Sequence, residues 1–334
     1  MKQALVFLSF IISFNIYSQD LRAYLNKASF NSSNGSFLET YLAFDANTLH
    51  LEKKNDFFIG KINISVLITD LSRNIVVVNE NYILESPKFK FKESNNLFFF
   101  DLNSYKLDSG NYNIIIRYFD LKHDKLVQEI DQTLVIDDFN IISLSDIQLI
   151  SEYTNKKSNS SQTNSNYDLT PYVSNFYPKH INELTFYFEE YNIDKITNGK
   201  YILNTFIETY ETNQPLNDFN KLKRKFYQKD SLINYSNLLS FNITTLPTGN
   251  YNLVCQIKDV NNKILSSKKI FFQRSNSFSN FTTKDISAVS ILGSFVEEFT
   301  NENQIAQFID YLYPIYTPEE NIFAQNQLEK NNLI

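Results

Sequence analysis

The residue types that most often carry catalysis or bind metals are scarce in this chain and lie far apart. His50, His123 and His180 are the only histidines among the 334 residues, and no pair of them has the spacing of a zinc site. Nucleophile-elbow, P-loop and dinucleotide-binding patterns are also absent from the sequence. The sequence therefore predicts a protein that is not an enzyme and that binds no metal or cofactor.

Adjacent carboxylates are the next candidates, for acid–base chemistry, and they occur at Glu189–Glu190, Glu297–Glu298 and Glu319–Glu320. Neighbouring side chains on a strand point to opposite faces, and the last pair fits a helix capping box, so none of them predicts a carboxylate dyad. Asp120 and Asp259 end matching strands, where calcium is one interpretation and the turn-forming hydrogen bonds of aspartate are the favoured one.

The single cysteine, Cys255, excludes an internal disulfide. It falls at an alternating apolar position of a predicted strand, so we interpret it as a small core residue rather than a reactive thiol. The fold must therefore depend on its hydrophobic core.

Composition predicts a packed β protein. Hydrophobic residues make up 43% of the chain and aromatic residues 15%, with 30 Phe, 21 Tyr and no Trp. Many of them stand with Ile, Val and Thr in short runs, which favours strands. The net charge of −6 lacks the basic character that nucleic-acid binding needs.

The first residues predict export. Lys2 precedes an apolar run at 4–14 that is too short to span a bilayer comfortably, and Ser18 is a small residue before a cleavage point. An uncleaved anchor is the alternative. No later apolar run is long enough for a membrane span. We expect a signal peptide at 1–18 and a mature chain that is periplasmic, outer-membrane-associated or extracellular.

An internal repeat reveals the architecture. "LDSGNYNIIIRYFD" begins at Leu107 and "LPTGNYNLVCQIKD" begins at Leu246, 139 positions later. The same offset separates Gly60 from Gly199, and each of these glycines opens an alternating apolar run. One long copied unit explains segments that keep their order and offset, and two copies indicate tandem domains.

The repeated motif is typical of a tyrosine corner. Gly110 and Gly249 mark chain reversals, where we expect a positive φ, and Tyr112 and Tyr251 follow two residues later. In immunoglobulin-like sandwiches a tyrosine at this place returns its hydroxyl to the backbone upstream. The structural motif comprises the leucine, glycine and tyrosine of each copy: Leu107, Gly110, Tyr112, Leu246, Gly249 and Tyr251.

The predicted fold class is mainly β, with two tandem immunoglobulin-like or fibronectin-like β-sandwich domains and a short α-helical C-terminal segment. The predicted boundaries are 19–138, 139–276 and 277–334. The junction "DDFN" is short, so we expect the sandwiches to lie end to end. Neither a strand-C Trp nor a disulfide is present, so the domains are not antibody-like.

The last segment has helical periodicity. Thr317, Pro318 and Glu320 form a helix start with a capping box. We interpret the apolar stripe as a docking surface, formed by Ile305, Phe308, Ile309, Leu312, Ile322 and Phe323.

Several stretches resemble one protein family. The stretches "LRAYLNKASFNSSNGSFLETYLAFD", "LTPYVSNFYPKHINELTFYFEEYN", "LPTGNYNLVCQIKD", "FFQRSN" and "YLYPIYTPEEN" follow the order found in the N-terminal region of secreted bacterial GWxTD-domain-containing proteins. The resemblance implies an exported protein of a bacterium with two membranes, and a following domain that carries Gly-Trp-x-Thr-Asp. That motif is absent here, which suggests a truncated frame or a divergent member. The resemblance supplies no catalytic residues.

Together these features predict an exported, non-enzymatic structural or interaction protein. Its tandem sandwiches would present the C-terminal docking segment to a protein partner in the cell envelope, or to the missing domain. The alternative is a carbohydrate-binding or hydrolase-accessory module. Exposed aromatic residues in a line on one sheet would favour the alternative, and aromatic residues buried at alternate positions would favour the first.

Overall fold

The chain folds mainly as β-strands. The computed structural model describes residues 21–90, 98–122, 127–155, 167–196, 199–226 and 234–276, with only the backbone described at 222–226. Short 3₁₀ turns at Ala46–Thr48 and Ile193–Lys195 interrupt the strands. The predicted signal peptide and C-terminal helices lie outside the described residues, and so does every residue of the predicted docking surface.

The described residues of the N-terminal half form nine strands. They are β1 (Ala23–Ser32), β2 (Gly35–Asp45), β3 (Glu52–Lys54), β4 (Phe57–Ile59), β5 (Lys61–Asp70), β6 (Ile75–Glu85), β7 (Phe98–Lys106), β8 (Gly110–Asp120) and β9 (Gln128–Ile136). Strands β1, β2 and β7 form an antiparallel sheet in that order, and a second antiparallel sheet has the order β6-β5-β8-β9. Strands β3 and β4 form a separate small hairpin.

Alternating apolar residues bind these two sheets into a sandwich. In β5, Ile62, Ile64, Val66 and Ile68 are buried while the residues between them are more exposed. Their side chains share one core with Leu42 and Phe44 of the three-stranded sheet and with the buried face of β8. Side chains alternate between the faces of a strand, so one apolar face per sheet suffices to make this core.

In the C-terminal half, the part of the chain that the structure describes forms ten strands. They are β10 (Ser143–Leu144), β11 (Gln148–Asn155), β12 (Tyr167–Pro171), β13 (Phe176–Tyr177), β14 (Glu183–Tyr191), β15 (Lys200–Thr209), β16 (Pro215–Phe226), β17 (Tyr235–Asn242), β18 (Gly249–Lys258) and β19 (Ile264–Arg274). Strand β14 pairs with β17 along one edge and with β10 and β11 along the other, and β12 extends the sheet beyond β11.

The facing sheet of this half has the order β13-β19-β18-β15-β16. Strands β15 and β18 pair at its centre, as β5 and β8 do in the first half, so the two copies of the sequence repeat occupy equivalent places. A second core, which includes Phe186, Phe188, Leu203 and Leu253, fills the space between the sheets. The predicted mainly β, sandwich-like fold class is confirmed. The boundaries of the domains stay predictions.

The two sandwiches contact each other through their outer faces. Ala28, Phe30, Phe37 and Tyr41 of β1 and β2 pack against Ile150 and Tyr187 of β11 and β14, and we call this contact the seam. The rings of Phe30 and Tyr187 lie 6.0 Å apart. The expectation of an end-to-end arrangement was therefore wrong. The linker is short, but the outer face of β1 and β2 is apolar and is covered by the second sandwich.

Polar contacts border the seam. The Asp146 carboxylate accepts hydrogen bonds from the backbone N–H and the hydroxyl of Ser29, and its other oxygen lies 2.5 Å from the Lys268 ammonium. The same ammonium contacts Asp137 in the junction between the halves. At the other end, the backbone N–H of Asn31 donates to the hydroxyl of Tyr191 over 2.9 Å. These contacts fix the register of one sandwich against the other.

Candidate functional site

An exposed aromatic surface continues the outer face of the three-stranded sheet beyond the seam. It consists of Tyr24 on β1 with Phe98, Phe100 and Leu102 on β7, and we call it the aromatic strip. These side chains are 50%, 41%, 40% and 55% exposed, in that order. Ala43 of β2 pairs with both Tyr24 and Phe100, so its small side chain lies between the two rings. The rings of Tyr24 and Phe98 are 6.1 Å apart and nearly perpendicular.

A cleft of about 280 Å³ opens where the strip meets the second sandwich. Strand β7 contributes Leu102, Asn103 and Ser104 to it, and Leu102 also belongs to the aromatic strip. The rest of the lining comes from β2, β11 and β12: Glu39, Tyr41, Gln148, Tyr167, Asp168, Leu169 and Pro171. The cleft therefore exists only because the two sandwiches lie side by side.

Glu39 and Tyr41 form a hydrogen-bonded pair on the β2 side of the cleft. The Tyr41 hydroxyl donates to the Glu39 carboxylate. Burial raises the pKa of Glu39, and the nearby carboxylate of Glu189 raises it further, while the bond from Tyr41 opposes the shift. Burial also raises the pKa of Tyr41, so its hydroxyl stays a donor.

Gln148 on β11 contributes an uncharged polar side chain to the cleft from the second sandwich. The residue is only 4% exposed and lines the cleft, and its side-chain amide makes no hydrogen bond to any described residue. Buried amides are nearly always hydrogen-bonded in folded proteins. A primary amide both donates and accepts, so Gln148 offers the cleft two kinds of polar contact.

The adjacent pair Glu189–Glu190 is split between two environments. Glu189 faces the seam, where the hydroxyls of Tyr187 and Tyr191 donate to its two oxygens over 2.5 Å and 2.7 Å. The Glu190 side chain accepts a hydrogen bond from the Asn237 amide over 2.7 Å. Both carboxylates are fully buried, and these hydrogen bonds go to different residues.

The predicted structural motif residues lie away from the cleft, in the two sandwich cores. The Tyr112 hydroxyl donates to the carbonyl of Asp108 over 2.9 Å, and the Tyr251 hydroxyl donates to the carbonyl of Pro247 over 3.1 Å. Leu107 and Leu246 are buried beside them. The structure thus places the two motifs at equivalent corners and does not bring them together.

The expected positive φ occurs at one of the two glycines of the motif. Gly110 has a φ of +159°, whereas Gly249 is not among the described residues with positive φ, so the expectation was wrong there. At Gly249 a Cβ would lie 3.1 Å from the Tyr251 hydroxyl oxygen, so the tyrosine would have to shift by a few tenths of an ångström to admit a larger residue. At Gly110 a Cβ would meet the ring of Tyr112 at 3.5 Å.

Other candidates from the sequence have ordinary structural partners. Asp120 accepts hydrogen bonds from the backbone N–H groups of His50 and Lys122, and Asp259 accepts them from those of Asn261 and Lys263. In the described part of the chain, there is no group of three or more His, Cys, Asp or Glu residues that could hold a metal. His123 lies outside the described residues. Cys255 is fully buried, and burial raises the pKa of its thiol.

No family model matches the chain, and no curated protein matches it. Among solved structures it is similar to red sea bream transglutaminase, at 8% identity and a TM-score of 0.25, over 77% of this chain and 31% of that one. It is also similar to a glycosyl hydrolase family 2 member from Bacteroides cellulosilyticus DSM 14838, at 11% identity and a TM-score of 0.28, over 71% and 28%. The chain thus spans about a third of either structure. The activities in these names belong to those proteins.

Sequence reasoning missed the seam, the aromatic strip and the cleft. A signal for the seam was present in "FLETYLAF" at 37–44 and "LTFYFEEY" at 184–191, where apolar residues stand on both faces of a strand. Such continuous runs are typical of strands buried on both sides.

Among the described residues, no helix is long and apolar enough to cross a membrane.

Proposed function

We propose that this chain is an exported, non-enzymatic structural and interaction protein. Two sandwiches fixed side by side present the C-terminal segment, residues 277–334, to a protein partner in the cell envelope or to a further domain. The resemblance to the N-terminal region of GWxTD-domain-containing proteins supports the compartment and the expectation of a further domain.

The observation that carries this proposal is the seam. A scaffold must hold its parts at one orientation, and the seam joins the halves by apolar packing between Phe30, Phe37 and Tyr187 and by the charged contacts of Asp146. An apolar contact bordered by charged hydrogen bonds resists hinge motion better than a short linker alone.

Deletion of residues 299–334 tests the docking role. Both sandwiches should stay folded, because each has its own core, and association with the envelope partner should be lost. The partner is captured by cross-linking the full-length exported protein in intact cells, and unfolding is followed by circular dichroism. A cooperative loss of the C-terminal sandwich on deletion would show that the segment is core structure and would overturn the docking proposal.

A carbohydrate-binding or hydrolase-accessory module is the second candidate. The aromatic strip favours it, because aromatic rings exposed in a row on one sheet are suited to stack against sugar rings. The two cores also contain aromatic residues buried at alternate positions, which were expected to favour the first candidate. Any sandwich needs such residues, so that expectation does not separate the two candidates.

A further inference from the structure

We propose that the cleft and the adjoining aromatic strip form a binding site for a neutral polysaccharide, with Gln148 as its central polar contact. This inference rests on the second candidate function and assigns its site. It is independent of the docking role of the C-terminal segment.

The aromatic strip supplies the apolar half of the site. A pyranose ring presents a face of C–H groups, and these pack favourably against the electron-rich face of an aromatic ring. Phe98, Phe100 and Leu102 alternate along β7, so they point to the same side and extend over about 13 Å of strand. That row leads directly into the cleft, because Leu102 belongs to both. An extended chain of sugar rings fits this continuous surface.

The cleft supplies the polar half. Gln148 is a buried residue that lines the cleft, and its side chain has no hydrogen bond to another described residue, so a ligand in the cleft can complete the hydrogen bonds of its amide. A sugar hydroxyl donates and accepts, as an amide does, and it satisfies both ends of the Gln148 side chain. Asn103, Ser104 and the Tyr41–Glu39 pair provide further donors and acceptors around it.

Charge selects a neutral ligand. Among the described residues of the lining, the charged side chains are the carboxylates Glu39 and Asp168, and none is Lys, Arg or His. An anionic ligand such as a nucleic acid, a phosphate or an acidic polysaccharide would be repelled by these two carboxylates. Uncharged hydroxyl groups instead donate to these carboxylates, and such charge-assisted bonds are the stronger kind.

Affinity electrophoresis of the full mature protein tests the site. The probes are the neutral polysaccharides dextran, laminarin, xylan and galactomannan, with polygalacturonate as an acidic comparison. At least one neutral probe should retard the protein. Gln148→Leu, which keeps the size of the side chain and removes its hydrogen bonds, should weaken the retardation at least tenfold, and so should Phe100→Ala. Ile83→Ala on the other sheet, where Ile83 is 57% exposed, is the matched control and should change nothing.

The outcomes separate this inference from the functions it rests on. Unchanged retardation of the Gln148 and Phe100 variants would overturn the assigned site and leave carbohydrate binding standing. No retardation by any neutral probe, or retardation by polygalacturonate alone, would overturn this inference and the second candidate, while the docking proposal would stand. If Gln148→Leu does not fold, as judged by its melting curve, the exposed Asp168→Ala takes its place with the same expected loss.

Discussion

Ser29 donates both its backbone N–H and its hydroxyl to one carboxylate oxygen of Asp146, over 2.8 Å and 2.6 Å. The two residues belong to different sandwiches, and the other oxygen of Asp146 binds the Lys268 ammonium. One side chain therefore ties together β1, the linker region and β19. We expect this contact to couple the folding of the two halves.

Replacing Asp146 with Ala should weaken that coupling. Hydrogen bonds to a charged group contribute about 1.5–3 kcal/mol, and the Lys268 ammonium would lose one of its two carboxylate partners. We expect urea unfolding to shift to lower concentration and to separate into two transitions. Glu85→Ala, which removes an exposed ion pair with Lys61, is the control and should leave one unshifted transition. An Asp146→Ala curve that overlays the wild type would contradict the coupling.

The tyrosine corners should contribute to stability in both halves. Tyr112→Phe and Tyr251→Phe each remove one hydrogen bond to a backbone carbonyl, which should cost about 1 kcal/mol, or a melting midpoint lower by about 2–4 °C. Tyr210→Phe is the control, because Tyr210 is 50% exposed and its hydroxyl makes no hydrogen bond with the described residues. Equal midpoints for all three variants and the wild type would argue against a structural role of the corners.

Glu39 should make stability depend on pH. Its pKa is raised in the folded protein, mainly by burial, so the folded chain holds this proton at a pH where the unfolded chain has lost it. The stabilisation is therefore complete below the unfolded pKa of about 4.3 and is lost as pH rises through the folded pKa. Glu39→Gln does not titrate, so we expect it to gain stability relative to wild type between pH 4 and pH 8.

Melting curves at pH 4, 6 and 8 measure this difference for Glu39→Gln. Glu183→Gln is the matched control, because Glu183 is exposed and lies on β14, in the sheet that forms the other wall of the cleft. A constant difference between Glu39→Gln and wild type across the three values would show that Glu39 does not titrate in this range.

Cys255 should be unreactive in the native protein. The thiol is fully buried, and burial next to Glu190 raises its pKa, so little thiolate forms at neutral pH. We expect no labelling by iodoacetamide in buffer and complete labelling in 6 M guanidinium chloride, read by intact mass. Fast labelling of the folded protein would mean that the strand β18 opens or that the thiol is accessible.

Export should leave a chain that starts at Gln19. Intact-mass measurement of the protein recovered outside the cytoplasm checks the cleavage after Ser18. A protein recovered from the cytosol that still begins with Met1 would contradict the predicted compartment.

The sandwich fold was predictable because its signals are local. Alternation in Ile62, Ile64, Val66 and Ile68 identifies a half-buried strand, and the repeated Gly-Asn-Tyr motif identifies the corner that follows. Each of these depends on residues within one or two strands, where side-chain direction follows from the backbone.

The side-by-side arrangement and the cleft were not predictable in the same way. Glu39 and Leu102 lie on paired strands of the first sandwich, and Gln148 and Asp168 lie on paired strands of the second. The two pairs meet only after the sandwiches pack, and no spacing in the chain relates them. Strands β2 and β14 have apolar residues on both faces, which indicates that their outer faces are covered. The sequence does not indicate that these faces cover each other. The close approach of the Tyr251 hydroxyl to Gly249 likewise depends on how the corner folds rather than on the sequence motif alone.

The seam also has a consequence for the order in which the protein is made. Asn31 and its contact Tyr191 are 160 positions apart, so the ribosome completes the first sandwich well before the strand that covers its outer face exists. The first sandwich is complete at Ile136, the end of β9, and synthesis from there to Tyr191 takes roughly three to ten seconds at ordinary rates. During it Phe30, Phe37 and Tyr41 form an uncovered apolar surface on a nascent chain. Such a surface attracts chaperones and favours association between neighbouring nascent chains, so the yield of soluble protein should fall as the translation rate of residues 139–191 is slowed.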